Sequence, residues 1–591
     1  MSQKDQAEPV VGGAAIFSAA VQLHLAGRLA EAEASYRRAI QLKPDHAEAH
    51  NNLGSALRQQ GRRREAMLLY RLAVELKPEL AEAHGNLGNL LWEMGEFEQA
   101  EASCRRAIEL KPDLASAHNN LGNALRDQGR LDDAVASYQA GISLKGDHPE
   151  FHSNLGVALG MQGRLEEADD CFRQAMIHNP DLIGAHSNRL FALNYSVELE
   201  AEQIYEFYEA FNAAAERAVA KAQPVYPGPR ATAAKLKVGY VSADFKGHAC
   251  RNFLEPLLAN HDRGDFEIYA YADNATEDAV TQRYKTYVDH WASTQPLSDE
   301  ALSALIRSDG VDILVDLAGH TAGNRLGVFA RKPAPVSLSW LGTGYTTGLR
   351  AIDYLLCDPV MVPPGSEGLF SETPWPIANA YAYRPSEGMG DPGPLPAEAA
   401  NGRVTFGTLT RAIRVNDPVI DAWARLLRRV DGARLVINSA DFKHRSMQER
   451  MLDRFARRGI GPERLSVGRQ SPPWDVLRTI DIGLDCFPHN SGTTLFESLY
   501  MGVPFVTLAD RPSVGRLGSS ILTSLGRTEW IAADADAYVD IAAGLARDLS
   551  SLAGIRSGLR AEMAGGPLMD ETGFARAVEA AYREMWRRLH P

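Results

Sequence analysis

Asp485-Cys486-Phe487-Pro488-His489-Asn490-Ser491-Gly492-Thr493-Thr494-Leu495-Phe496-Glu497 follows an apolar run at 480–484 and continues into Ser498-Leu499-Tyr500-Met501-Gly502-Val503-Pro504. The run reads as a buried strand, the small polar residues as a loop, and the stretch after Gly492 as a helix. Two threonines fall on the first turn of that helix and Glu497 one turn later. Free N–H groups at a helix N-terminus, with the positive end of its dipole, suit a phosphate. Taken alone, Gly-Thr-Thr is more simply a helix with Thr as its N-cap. The surrounding chain decides between the two.

Moving outward, the same strand-loop-helix unit recurs. Val404-Thr405-Phe406-Gly407 reads as a strand, 418–427 as a helix, 433–438 as a strand, and Phe505-Val506-Thr507-Leu508 as a strand beyond the opening stretch. Upstream, Lys237-Val238-Gly239-Tyr240-Val241-Ser242 is a buried strand running into Ala243-Asp244-Phe245-Lys246-Gly247-His248. Further strands at 266–271, 313–317 and 335–340 alternate with helical stretches from Asn252 and at 282–288; the third strand ends at Ala318-Gly319-His320-Thr321, the fourth at Leu341-Gly342-Thr343-Gly344-Tyr345. Apolar, β-branched strands alternating with helices argue for parallel sheets covered on both faces. Residues 384–401, rich in Pro and Gly, read as the linker between two such halves.

The N-terminal third has a different logic. Blocks begin at Gly13, Ala47, Ala81, Ala115 and Pro149, with a truncated sixth from Ile183, a period of 34 residues. Alanine recurs at 32, 66, 100, 134 and 168, and glycine at 27, 61, 95, 129 and 163 and again at 54, 88, 122 and 156. Prolines at 44, 78, 112 and 180 close the second helix of their blocks, Gly146 standing in for one. The pattern resembles the tetratricopeptide repeat, an α-solenoid of stacked helix pairs. Asn52, Asn86, Asn120, Asn154 and Asn188 recur once per block, each two residues after a histidine. On the concave face they would form a ladder able to hold the backbone of an extended acceptor protein; the competing reading is that they bond between repeats. From 190 to about 222 the chain reads as helix, then 224–229 as a Pro-rich connector.

The 591 residues are 45% hydrophobic and 23% charged, with a net charge of −13. That balance argues against a general nucleic-acid or anionic-membrane binder. Cysteines at 104, 171, 250, 357 and 486 form no CxxC pair, which fits a reducing compartment and gives no support to a zinc or disulfide framework. No apolar run approaches the ~20 residues of a membrane span, and the N-terminus lacks an apolar signal core. A cytoplasmic protein is expected.

Val-Gly-Tyr-Val-Ser-Ala-Asp-Phe followed by His248, Arg331-Lys332-Pro333-Ala334-Pro335 with Trp340-Leu341-Gly342, the 485–504 stretch, Arg516 and Ala580-Ala581-Tyr582-Arg583-Glu584-Met585-Trp586 stand in one order behind the repeats. Together they resemble the O-GlcNAc transferase/SPINDLY family, glycosyltransferase family 41. The resemblance implies a GT-B glycosyltransferase after the solenoid. The domains are then an array with connecting helices over 13–222, an N-terminal Rossmann-like half over 233–383 and a C-terminal nucleotide-sugar-binding half over 402–591.

The family's roles carry over residue by residue. Thr493 and Thr494, with Gly492 before them, resemble the binders of the donor diphosphate, and Glu497 an acidic ligand of the ribose. Arg414 falls where the family has a lysine that neutralises the leaving diphosphate, a task arginine can perform. Arg411 and His320 are expected on the same nucleotide-sugar cleft, and the loop 468–474 against the base. His248 resembles the proposed general base, with Asp244 as an alternative proton acceptor through water. No metal or other cofactor is implied, because a helix N-terminus and Arg414 can do a metal's work; Asp534-Ala535-Asp536 reads as a solvated helix start.

The expected reaction is inverting transfer of a sugar, GlcNAc from UDP-GlcNAc in the first instance, onto Ser/Thr hydroxyls of acceptor proteins held by the repeat groove. Gly492 stands where the animal enzymes place a histidine, and 498–504 is closer to the SPINDLY branch, whose plant member uses GDP-fucose. Another sugar therefore remains open: fucose, or a bacterial sugar placed on a flagellar or surface protein. So do a non-catalytic scaffold, the acceptor's identity and a homo-oligomer.

Overall fold

The structure, a computed structural model, describes residues 3–219, 235–274, 276–342 and 345–589. The expected connector at 224–229, the domain start at 233–234 and Thr343-Gly344 lie outside the described residues. The chain forms two compact units: one of Met1–Leu159, Asp170–Asn179 and Gln295–Leu297, the other of the remainder.

The first unit is built from helix pairs in the expected register, such as Ala81–Glu93 with Phe97–Leu110 and Ala115–Asp127 with Leu131–Leu144. The glycine series marks the close approach inside each pair. A Cβ at Gly54, Gly122 or Gly156 would stand 2.5–2.9 Å from the ring of Tyr70, Tyr138 or Phe172, and one at Gly88 2.5 Å from Cys104 Sγ. The histidine series has a structural task. The Nε2 atoms of His50, His84, His118 and His152 lie 2.8–3.0 Å from the carbonyls of Pro44, Pro78, Pro112 and Gly146. A carbonyl only accepts, so each ring carries its proton on Nε2.

The described residues of the array and connecting helices expected over 13–222 divide between the two units. Ile183–Leu193 and Ala201–Ala218 belong to the second unit. The single helix expected from 190 is broken at 194–200, where Arg511 donates to the carbonyls of Asn194, Ser196 and Leu199 at 2.5–2.9 Å. Carbonyls freed by a helix end need such a partner when buried.

The second unit holds two wholly parallel sheets. The first has strands β1 Leu236–Ser242, β2 Phe266–Ala272, β3 His290–Ser293, β4 Ile313–Asp316, β5 Val336–Ser339, β6 Tyr354–Cys357 and β7 Thr373–Pro376 in the order 3-2-1-4-5-6-7. The second has β8 Thr405–Leu409, β9 Arg434–Asn438, β10 Leu465–Gly468, β11 Ile482–Leu484, β12 Phe505–Leu508 and β13 Ile531–Ala532 in the order 10-9-8-11-12-13. Residues 384–401 are irregular apart from a short turn at Pro396–Ala399.

The C-terminal half expected at 402–591 does not keep its last helix. Glu571–Leu589 packs on the first sheet's side, with Tyr582 Oη 3.1 Å from Tyr240 Oη and Glu579 bonded to His261 at 3.0 Å. Phe253 from the first half meets Phe496 from the second at 4.9 Å between ring centroids. One apolar core thus runs through both sheets.

Two neighbouring glycines of one helix test the repeat packing. Gly85→Ala places its methyl in ordinary contact, 3.7 Å from Leu114, and should stabilise the protein by about 0.5–1 kcal/mol. Gly88→Ala drives its methyl into Cys104 and should cost about 1–3 kcal/mol. Urea unfolding of the two variants beside the parent reads the opposite signs.

Candidate functional site

In each sheet the strand order reverses once, between β1 and β4 in the first and between β8 and β11 in the second. Open α/β sheets bind ligands outside the strands' carboxyl ends at such points. The loops that leave there are 243–250, 317–325, 410–416 and 485–492, and they carry Asp244, His248, His320, Arg411, Arg414 and Gly492.

The loop after β11 is wired from within. Asp485 Oδ1 accepts from the backbone N–H groups of Cys486 and Ser491 at 2.8 Å, and Oδ2 from the Thr507 hydroxyl at 2.8 Å. Asn490 donates to the Cys486 carbonyl at 2.9 Å and accepts from Gly518 N at 3.1 Å. The helix Thr493–Tyr500 follows with Gly492 as N-cap and no side-chain cap. Thr as N-cap is therefore corrected: Thr493 and Thr494 stand inside the first turn, half-buried, and no side chain among the described residues caps the first N–H groups of the helix.

The loop after β8 is tied to this one. Thr410 and Ser491 meet hydroxyl to hydroxyl at 3.0 Å, and Asn416 donates to the Phe487 carbonyl at 2.6 Å. Arg414 closes a short turn, Ala412–Arg414, with its Nε 3.4 Å from His489 Nδ1. That Nδ1 also lies 2.9 Å from the Asn490 carbonyl, which can only accept, so Nδ1 carries the proton and the arginine packs beside it without a hydrogen bond. Burial, with Arg414 adding to it, holds His489 well below its ordinary range and keeps the ring neutral. Tyr195 stacks on His489 at 4.4 Å, and the Arg414 and Arg411 guanidinium groups lie 5.8 and 5.9 Å from the rings of Tyr195 and Phe191. Tyr195, Phe191 and His489 escaped the sequence reading as site residues. Their signal is contact between segments roughly two to three hundred residues apart, which no local pattern carries.

Glu497 is buried, and burial pushes its carboxyl up to about 7 against the opposing pull of Arg251 from the first half. On the first sheet's loop, His248 Nδ1 stands 3.4 Å from Asp244 Oδ2, with the His248 side chain 41% exposed. Its Nε2 has no hydrogen-bond partner among the described residues. Burial lowers the ring's pKa; Lys246 and Arg411 act in the same direction and Asp244 opposes them. Arg411 from the second half thus acts electrostatically on His248 of the first.

Other expectations fare differently. His320 is not open to a ligand. Its Nδ1 is 2.9 Å from Ser187 Oγ and its Nε2 2.8 Å from the Thr347 carbonyl, and the rings of Tyr208 and Phe211 enclose it. Burial drops its pKa to about 4, so it serves as a neutral structural bridge to Ile183–Leu193. The loop 468–474 is pinned at Gln470, which bonds through its backbone to Asn438. Asp534 is the N-cap of Ala535–Arg547, accepting from Asp536 and Ala537 N–H groups at 2.9 and 2.8 Å, and Asp536 pairs with Arg425.

The asparagine ladder is in part a staple. Asn86 donates to Asn51 and Asn154 to Asn119 at 3.0 Å, and Asn120 to the Gly85 carbonyl at 3.3 Å. Asn52 accepts from Asn51 at 3.1 Å. The bonding between repeats that competed with peptide binding is present, and these side chains are half-buried. Asn188 lies in Ile183–Leu193, in the second unit.

A family model described as Glycosyl transferase family 41 matches residues 215–381 and 395–578. Tetratricopeptide repeat models match 22–61, 54–95, 81–114, 103–136, 122–163 and 149–182. A Solanum lycopersicum protein named probable UDP-N-acetylglucosamine–peptide N-acetylglucosaminyltransferase SPINDLY is 35% identical over 422 residues, 69% of this chain and 45% of its own. The Arabidopsis thaliana protein of the same enzyme name called SEC is 26% identical over 375 residues, 60% of this chain and 37% of its own. The chain spans about half the length of the curated relatives it matches. Among solved structures, a mutant O-GlcNAc transferase from Thermobaculum terrenum superposes with a TM-score of 0.80 at 33% identity, over 86% of this chain and 98% of that one. With its model matched along both sheets, the chain belongs to glycosyl transferase family 41.

Proposed function

We propose that the protein is an inverting glycosyltransferase that moves GlcNAc from UDP-GlcNAc to Ser/Thr hydroxyls of acceptor proteins recruited by its repeats. The observation that carries this reading is the pairing of loops after β8 and β11. They set a permanent cation, Arg414, beside the loop that opens an uncapped helix N-terminus at Thr493 and Thr494. That combination suits a diphosphate. The relatives' names supply the donor.

In the proposed step, the acceptor hydroxyl gives its proton to Nε2 of neutral His248 while its oxygen attacks the anomeric carbon. The bond from that carbon to the phosphate oxygen breaks on the opposite face. Its electron pair leaves with the diphosphate, whose growing charge meets the helix N–H groups and Arg414. Asp244 beside Nδ1 orients the ring and stabilises its protonated form, as a carboxylate does for a catalytic imidazole. Glu497 accepts from the ribose hydroxyls, and Arg411 adds positive potential to the cleft. The half-buried asparagines Asn52, Asn86, Asn120, Asn154 and Asn188 are the proposed contacts to the acceptor backbone.

A second reading, a different sugar such as fucose from GDP-fucose, rests on Gly492, which stands where the animal enzymes carry a histidine. Thermal unfolding with UDP-GlcNAc, GDP-fucose and a CMP-linked sugar separates the readings. Protection of about 3 kcal/mol at a hundred times Kd is expected for the true donor. Protection by GDP-fucose alone selects the second reading, and protection by none overturns the enzyme.

Arg414→Ala should lower kcat about 100- to 1,000-fold while changing donor affinity only a few-fold, since its charge acts on the leaving group; equal losses in both would contradict that role. Because burial holds the His248 pKa below that of a free imidazole, the ring is neutral through the neutral range, so the rate should be flat there and fall only on the acid side of the ordinary imidazole range. Glu497→Gln should weaken the donor and stabilise the fold. Between the unfolded carboxyl's range and about 7 the folded state binds the proton more tightly, so stability falls as pH rises through that window. At pH 8 the variant should gain up to about 3 kcal/mol, and by about pH 4.5 nothing; melting curves at the two pH values read the difference.

A further inference from the structure

The loop that carries His248 holds a thiol that the transfer step does not use. Asp244, His248 and Cys250 each place one ligand atom within 4.8 Å of the other two, the one such cluster of carboxylate, imidazole and thiol among the described residues. The geometry points to a site for a thiophilic divalent cation, zinc in the first instance, bound by Asp244, His248 and Cys250 at the mouth of loop 243–250.

Two observations carry it. The separation between His248 Nδ1 and Asp244 Oδ2 is 3.4 Å. Two ligands on tetrahedral bonds of about 2.1 Å stand about 3.4 Å apart, so this pair already spans one edge of a zinc tetrahedron. Cys250 immediately precedes the helix Arg251–Asn260, whose positive end favours a thiolate over a thiol. Binding requires the Cys250 thiolate, so the ion would displace the thiol proton. An oxygen, a nitrogen and a sulfur on one centre select zinc over magnesium or calcium, which take oxygen ligands.

Two groups must give way, and both can. The Cys250 N–H points at His248 Nδ1 from 3.4 Å, a long contact. Lys246 reaches Asp244 from 3.9 Å on a side chain that is 40% exposed and can swing into water. Three protein ligands leave a fourth position for water. The consequence rests on the proposed role of His248: an ion on Nδ1 and Asp244 separates the ring from its carboxylate and forbids the ring from becoming protonated. Zinc would then act as a brake on transfer, and Cys250 is the residue that makes the brake.

Cobalt(II) titrated into the full chain after chelator treatment should bring up a thiolate-to-metal charge-transfer absorption at one ion per chain, and zinc should bleach it. Cys250→Ser should lose that absorption and at least tenfold in affinity, Cys171→Ser should keep both, and His248→Ala should weaken binding independently of the cysteine. Equal metal-free melting of Cys250→Ser and parent guards against misfolding. No absorption, or absorption that survives in Cys250→Ser, overturns the site. Zinc that binds there yet leaves sugar transfer at full rate overturns the brake and the base role of His248 together, while the binding site stands.

Discussion

A single buried carboxylate organises the part of this molecule on which everything else bears. Asp485 sits at the end of β11 with two backbone N–H groups on one oxygen and the Thr507 hydroxyl on the other. Burial pushes its carboxyl up to about 6, and the nearby Arg414 works against that rise. Such a group is tolerated in a core only when its lone pairs are taken. Gly518 shows how close the packing is: a Cβ there would stand 2.8 Å from Asp485 Oδ2 and 2.4 Å from Thr507 Oγ1. Because this network holds the loop, the helix that follows can begin without a cap. Its N–H groups are presented in advance, with no side chain folding back to satisfy them.

The same economy of contacts joins the two sheets. The last helix of the chain returns to the first sheet through Tyr582 and Glu579, and Phe253 and Phe496 meet between the halves. The loops at both switch points are thereby held on one frame. Helices after the repeats contribute too, since Tyr195 lies flat on His489 and Ser187 bonds His320. Histidines that look alike in sequence acquire different chemistry from this frame. His320 and His489 are buried, bonded and neutral, while His248 keeps one nitrogen without a partner among the described residues. Glu497 is buried, its carboxyl pushed up by that burial and pulled back by Arg251.

Much of this was legible in order along the chain. The 34-residue period with its glycines and prolines specifies helix pairs because small residues recur where helices must cross. Strands such as β1 and β12 announce themselves by unbroken apolar, β-branched runs, as buried parallel strands must. The edge strand β3, His290–Ser293, carries no such run and went unread, being half in water. The candidate loops were legible as well, because a strand, a polar loop and a helix in succession place that loop at a carboxyl end.

What the sequence by itself determined, then, is the repeat period, the alternation of strands and helices, and the residue types gathered at strand ends, all set by local periodicity and turn chemistry. Only the tertiary structure decided that the asparagines staple repeats to one another, that His320 is sealed from ligand, that the final helix crosses to the other half, and that Cys250 stands within reach of His248 and Asp244. Those outcomes depend on which distant side chain fills a given space or completes a given hydrogen bond. That competition is settled in three dimensions, and spacing along the chain does not record it.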